Sequence, residues 1–183
     1  MRRNFASIVA VGLVLGALPL AHAKLARTGD VASASFDTKG PAGMKITGST
    51  SEVAVGDDGK VVAVTVTLKN LTTGIGLRDT HMRDKYLQVG QFPTAELKVD
   101  RGSLKFPSGN EVSGDAKGTI TIHGKSKQVD FHYSARGPAK GPIVVNAITD
   151  VNMKDFDITV PTYLGVTVKP EVHITVSFTV NDS

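Results

Sequence analysis

The sequence contains no cysteine and no tryptophan, and aromatic residues make up only 5% of its 183 positions. Without cysteine there is no disulfide, no thiolate nucleophile and no iron–sulfur cluster. A dense basic patch interleaved with aromatics, as a nucleic-acid binder needs, is missing too. The formal charge of +4 falls to +2 once Arg2 and Arg3 are set aside, so the high isoelectric point is a weak clue. None of the histidines falls in the H-x-H or H-E-x-x-H spacing of metal sites. Downstream of Leu20 no apolar run is long enough to cross a bilayer.

The chain opens on a leader. Arg2 and Arg3 form a positive start, Ile8 to Leu20 is an apolar stretch of signal-peptide length, and Ala21-His22-Ala23 is an A-x-A cleavage site. Residues 1–23 are expected to be removed, leaving a single domain over residues 24–183 that is long enough to bury a real core. Export without cysteine fits a bacterial periplasm at least as well as a eukaryotic secretory route.

Most of the mature chain alternates with a period of two, the signature of half-buried strands. Ala32, Ala34 and Phe36 share a face, as do Val62, Val64, Val66 and Leu68. Ala95, Leu97 and Val99 come next, then Ile120 and Ile122 on a long strand over 111–123, then Val129, Phe131 and Tyr133. The last strand carries Val172, Ile174, Val176, Phe178 and Val180. Gly56-Asp57-Asp58-Gly59 marks a hairpin. Residues 74–93 break the pattern. Ile75, Met82, Tyr86 and Val89 recur at helical spacing among Arg78, Asp79, His81, Arg83, Asp84 and Lys85. Gly90 and Pro93 are expected to end that helix.

About eight one-sided strands joined by short turns should pair antiparallel and close into a barrel or stack as a sandwich. Strands of 10 to 13 residues favour closure, which also removes exposed edges. Ala32, Ala34, Gly114, Ala116 and Gly118 are small, which suggests unfilled volume inside. Aromatic side chains from the opposite wall would fill the same space, so the pattern leaves a ligand cavity and a packed core both open.

The phrases LRDTHMRDKYLQVGQFP (77–93), GTITIHGKSKQV (118–129) and NMKDFDITVPTYLGVTVKPEVHITV (152–176) resemble the YceI family in order and spacing, over essentially the whole mature chain. The resemblance implies an all-β fold, an eight-stranded antiparallel lipocalin-like barrel with one short α-helix at about 76–89. It also implies export to the periplasm, a long polyisoprenoid or related amphiphile held inside, and no enzymatic activity. Two departures stand out: Ser126 where Thr is commoner, and Asp157 where Gly is commoner.

The expected barrel lining is Val64, Val66, Leu68, Leu97, Ile120, Ile122, Phe131, Tyr133, Ile174, Val176 and Phe178. At the mouth, Arg78 and Arg83 are candidates for a lipid headgroup, since guanidinium groups grip phosphate and carbonyl oxygens. Asp79 and Arg83 are four apart and would equally pair with each other. Met82 and Tyr86 either pin the helix or line the pocket. Phe156 and Tyr163, in a long segment over 154–170, would close over a ligand or pack as an Ω-loop. His123, His132 and His173 read as solvent-facing. His81 with Asp79 and Asp84 is the one grouping that metal binding or general-base chemistry could use. No catalytic or metal site is assigned, and the only bound group expected is an isoprenoid or other long-chain lipid. The expected partners are that lipid and, transiently, a membrane, with the chain a monomer or homodimer. The competing functions are a ligand-free periplasmic interaction or stress protein with a packed core, and an enzyme working through His81 and Asp79.

Overall fold

A computed structural model describes residues 24–29, 31–163 and 166–182. The expected leader, and the expected cleavage after Ala23, lie outside the described residues.

The strands are β1 (Leu25–Arg27), β2 (Ser33–Lys39), β3 (Lys45–Thr50), β4 (Val53–Asp57), β5 (Val61–Thr67), β6 (Thr94–Asp100), β7 (Val112–Ile122), β8 (Lys125–Arg136), β9 (Pro142–Asn152) and β12 (Glu171–Asp182), with a minor hairpin β10 (Thr162–Tyr163) and β11 (Val166–Thr167). Ten of them form one antiparallel sheet in the order β3-β2-β12-β9-β8-β7-β6-β5-β4, with β1 added on β12. The two ends of that order, β3 and β4, are consecutive in the chain. Only Ser51 and Glu52 separate them. Residues 45–57 are thus one bent strand whose first half pairs with β2 and whose second half pairs with β5. The bend joins the two edges and nearly closes the barrel. Counting 45–57 once leaves eight long strands, as the alternation implies, plus the short β1.

Every long strand runs between the same two ends. One end, the base, carries β1, the β4–β5 and β8–β9 turns and the β6–β7 connection. The other end, the mouth, carries the β2–β3 turn, residues 68–93, the β7–β8 turn and residues 153–170. The base is sealed by Leu25, Val62, Ala135, Ile143 and Val180, all under 9% exposed. Asp57 ties β1 down: it accepts from the Leu25 N–H at 2.9 Å, the Gly59 N–H at 2.8 Å and Arg101 Nε at 2.8 Å.

The helix is shorter than the sequence suggests. An α-turn, α1 (Gly76–Thr80), passes into a π-helical turn over His81–Tyr86. The Leu87 N–H bonds the Met82 carbonyl at 2.9 Å, a five-residue step. Ile75 precedes the helix in an extended conformation (φ −124°, ψ 106°) and is 54% exposed, while Met82 and Tyr86 turn inward. The helix stops at Gln88, which takes a left-handed conformation (φ 47°), and not at Gly90.

The small residues of β7 have a different job from the one their size suggests. A Cβ at Gly118 would meet Leu97 Cδ1 at 2.7 Å and the Lys98 carbonyl at 3.0 Å. Gly118 therefore admits the close approach of β6, and Gly114 lies under the Tyr133 ring. Neither borders the internal space, and nor do Ala32 and Ala116.

Candidate functional site

The buried apolar side chains fall into three separate clusters on the barrel wall instead of one continuous core. Between them lies a cavity of about 770 Å³. All eleven expected lining residues border it: Val64, Val66, Leu68, Leu97, Ile120, Ile122, Phe131, Tyr133, Ile174, Val176 and Phe178. Alternation places them there, because every second side chain of an inward-curving strand points to the axis. The wall also includes Phe36, Ile46, Phe106, Val145, Val151 and Val172. Most of these share faces with the named residues. Phe106 sits in the irregular segment after β6, where periodicity gives no signal.

Three hydroxyls that reach the wall are already engaged. The Tyr133 hydroxyl accepts the Lys105 N–H at 2.7 Å. Thr38 Oγ1 lies 2.9 Å from the carbonyls of both Lys169 and Glu171, and Thr149 Oγ1 donates to the Asp130 carbonyl at 2.8 Å. The interior offers hydrocarbon contact and few free handles for a polar guest.

At the mouth, Arg78, Met82, Tyr86 and Phe156 border the cavity as expected, and His81, Lys85, Ile75 and Leu77 join them. Arg83 does not. Its Nη1 points to the carbonyls of Lys69 at 3.3 Å and Leu71 at 3.5 Å, so it laces the helix to the end of β5. Phe156 is 1% exposed and packs with Ile120, Ile122 and Ile158. The side chain of Tyr163 lies outside the described residues. Its segment is tied down by the Ile158 N–H to the Met153 carbonyl (3.1 Å) and the Lys169 N–H to the Lys39 carbonyl (2.7 Å). Asp157 adopts φ 54°, a left-handed position that glycine occupies without strain, and its carboxylate pairs with Lys125 at 2.9 Å.

The Asp79 carboxylate is hydrogen-bonded to the threonines that precede the helix, with Arg83 as a nearby charge. It is 5% exposed and accepts from Thr72 Oγ1 at 2.6 Å, the Thr73 N–H at 2.7 Å and Thr73 Oγ1. Burial pushes its carboxyl up; the bonds from Thr72 and Thr73, with Arg83 nearby, outweigh this and hold it below the usual carboxylate range. Arg78 donates to Thr73 Oγ1 at 2.7 Å through Nε, completing the knot. Asp79→Asn should therefore cost about 1–3 kcal/mol, since an amide cannot accept at every one of these positions. Thermal unfolding measures this loss; an unchanged midpoint would remove Asp79 from the list of anchors.

His132 and His173 face solvent, each 2.8 Å from an aspartate across the ladder, Asp115 and Asp150. His123 does not. Its ring packs edge-on to Phe92 at 4.6 Å, its Nδ1 lies 3.1 Å from the Phe156 carbonyl, and its Nε2 is buried without a partner among the described residues. The strand reading fails there because His123 has left the ladder for a turn conformation with φ 52°.

The YceI-like domain model matches residues 21–180, nearly the whole described chain. The chain belongs to the YceI family. A UPF0312 protein of Pseudomonas fluorescens strain SBW25 is 33% identical over 106 residues, 55% of this chain and 53% of that one. The chain thus spans about half the length of the curated relatives it matches. Among solved structures, a polyisoprenoid-binding domain from Saccharophagus degradans implicated in plant cell wall breakdown matches with a TM-score of 0.73 at 14% identity, over 88% of this chain and 100% of that one. BcnA of Burkholderia cenocepacia matches with a TM-score of 0.64 at 14% identity, over 81% and 95%. These identities carry the barrel architecture alone. The YceI fold here is nearly closed, antiparallel and hollow.

Proposed function

We propose that this YceI protein is an exported, non-catalytic carrier that takes a long-chain amphiphile, a polyisoprenoid, quinone-like or fatty-acyl lipid, into its barrel. One observation carries the reading: a cavity of about 770 Å³ with an apolar wall whose Tyr133, Thr38 and Thr149 hydroxyls are already bonded to protein. Such a space rewards hydrocarbon and rejects a polar head. The tail enters toward Leu25 and Val180. The head stays at the mouth beside Arg78, His81 and Lys85. The likeness to a polyisoprenoid-binding domain supports the same assignment. Exchange runs through the mouth, where residues of the β2–β3 turn and α1 border the cavity.

At about 30 Å³ per chain carbon, roughly the share of one water in the liquid, a space of about 770 Å³ accepts about 25 carbons. Affinity along a homologous series should rise about fourfold per added methylene, from about 0.8 kcal/mol each, and flatten near that length. Titration of saturated and isoprenoid alcohols of increasing length measures the plateau. Mass spectrometry of protein purified from its native source, before and after solvent extraction, tests the carrier reading itself. A discrete added mass extractable as one lipid class is the expected result. A clean unliganded mass, with no uptake on incubation with such chains, would sink it.

A further inference from the structure

Three large apolar side chains stand in solvent at the mouth end of the barrel: Met44 at 55% exposure, Ile75 at 54% and Leu77 at 71%. Met44 follows the β2–β3 turn, and the other two lead into and begin α1. All three also border the cavity. Scattered exposed apolar residues need no explanation, but a group continuous with an apolar interior forms a path from the surface inward. The charges around this rim are mostly positive. On the helix side stand Arg78 and Lys85 against Asp84, since Asp79 is buried in its threonine knot. On the turn side stand Lys39, Lys45 and Lys169 against Asp37 and Glu171.

We propose that the mouth docks on the surface of a lipid bilayer carrying anionic headgroups, with Met44, Ile75 and Leu77 inserted among the acyl chains and the flanking lysines and Arg78 on the phosphates. Apolar tips ringed by cations are complementary to that interface, where hydrocarbon lies just beneath negative charge. Docking would place the cavity opening against the acyl layer, so a chain could pass between them without crossing water. The purpose of this surface rests on the carrier reading, but its measurement does not.

The chain has no tryptophan, so one introduced indole is a unique reporter. Leu77→Trp places it at the mouth. Val31→Trp places it at the base end, at another exposed position (82%) that does not border the cavity. Vesicles of phosphatidylcholine with phosphatidylglycerol should shift the Leu77→Trp emission to the blue and allow its quenching by bromine-labelled acyl chains. Val31→Trp should respond to neither. Raised salt or pure phosphatidylcholine should weaken the response, because the cations are screened or unopposed. The double variant Lys39→Glu, Lys169→Glu, at two exposed rim positions that do not border the cavity, should lose at least tenfold in vesicle flotation while still taking up a long-chain alcohol supplied in solution. No blue shift at Leu77→Trp, or flotation unaffected by the double variant, would overturn the docking surface even where solution uptake is intact. Vesicle binding without any uptake would instead remove the carrier reading and leave the docking surface standing. A blue shift that depends on protein concentration without vesicles would assign the rim to a second copy of the chain and overturn the proposal.

Discussion

Ala147→Phe is expected to weaken binding of a cavity-filling chain by about a hundredfold while leaving the protein folded. Ala147 faces inward from the middle of β9, opposite Tyr133 on β8 and Val176 on β12. It is only half-buried, because its methyl looks into the cavity and not onto packed protein. A phenyl ring there displaces roughly three to four chain carbons at about 30 Å³ each. At about 0.8 kcal/mol per carbon this removes about 3 kcal/mol of binding, or about two powers of ten. The ring has no polar atom to strand, and it covers apolar wall, so the unfolding midpoint should hold or rise. A titration with one long-chain alcohol and a thermal melt are sufficient. Undiminished affinity would mean that the chain is held outside the barrel.

Asp57→Ala is expected to cost about 3–5 kcal/mol, the range for breaking a buried charged pair. The Asp57 side chain is fully buried, and its carboxylate collects the β1 backbone at Leu25, the hairpin turn at Gly59 and the Arg101 guanidinium. Arg101 in turn lies 4.4 Å over the Phe106 ring, which borders the cavity. The loss would unhook β1 and unseal the base, beyond removing one ion pair. Burial raises the Asp57 carboxyl, and the N–H groups of Leu25 and Gly59 with Arg101 outweigh it, so the folded group titrates below its unfolded value. A depressed carboxyl stabilises fully above the unfolded value of about 4, and the benefit drains away as the pH falls through the folded value. Melting midpoints measured from about pH 5 to about pH 2 should fall less steeply in Asp57→Ala than in the parent. Equal slopes would mean that the acid sensitivity belongs to Asp79 and the other depressed carboxyls.

The wall of the site is legible in the sequence because a period of two is imposed by strand geometry alone: each of the eleven named lining positions borders the cavity. The hollow is not legible, since the same apolar face serves a packed core or a lined void. Even the small side chains of β7 have another cause, as Gly118 accommodates Leu97 and not a guest. The mouth is less legible, for a local reason. Its charges read as headgroup candidates or as an Asp79–Arg83 pair on a regular helix, but the π-turn over His81–Tyr86 changes which side chains share a face. Asp79 and Arg83 are spent on Thr72, Thr73 and the carbonyls of Lys69 and Leu71. Those partners lie six to fourteen positions away around a turn whose shape the sequence does not announce.

The order in which the barrel can form is set by β12. This final strand, Glu171–Asp182, lies between β2 and β9 and also carries β1. Strand β2 can find β3 early, but its other neighbour is made more than a hundred residues later, by the register of Asp37 with His173. Until residues 171–182 are made the sheet keeps two open flanks, and pairings so distant along the chain fold slowly. A chain cut at residue 170 would lose the neighbour of three strands at once. The barrel closes only when residues 33–39 and 171–182 meet.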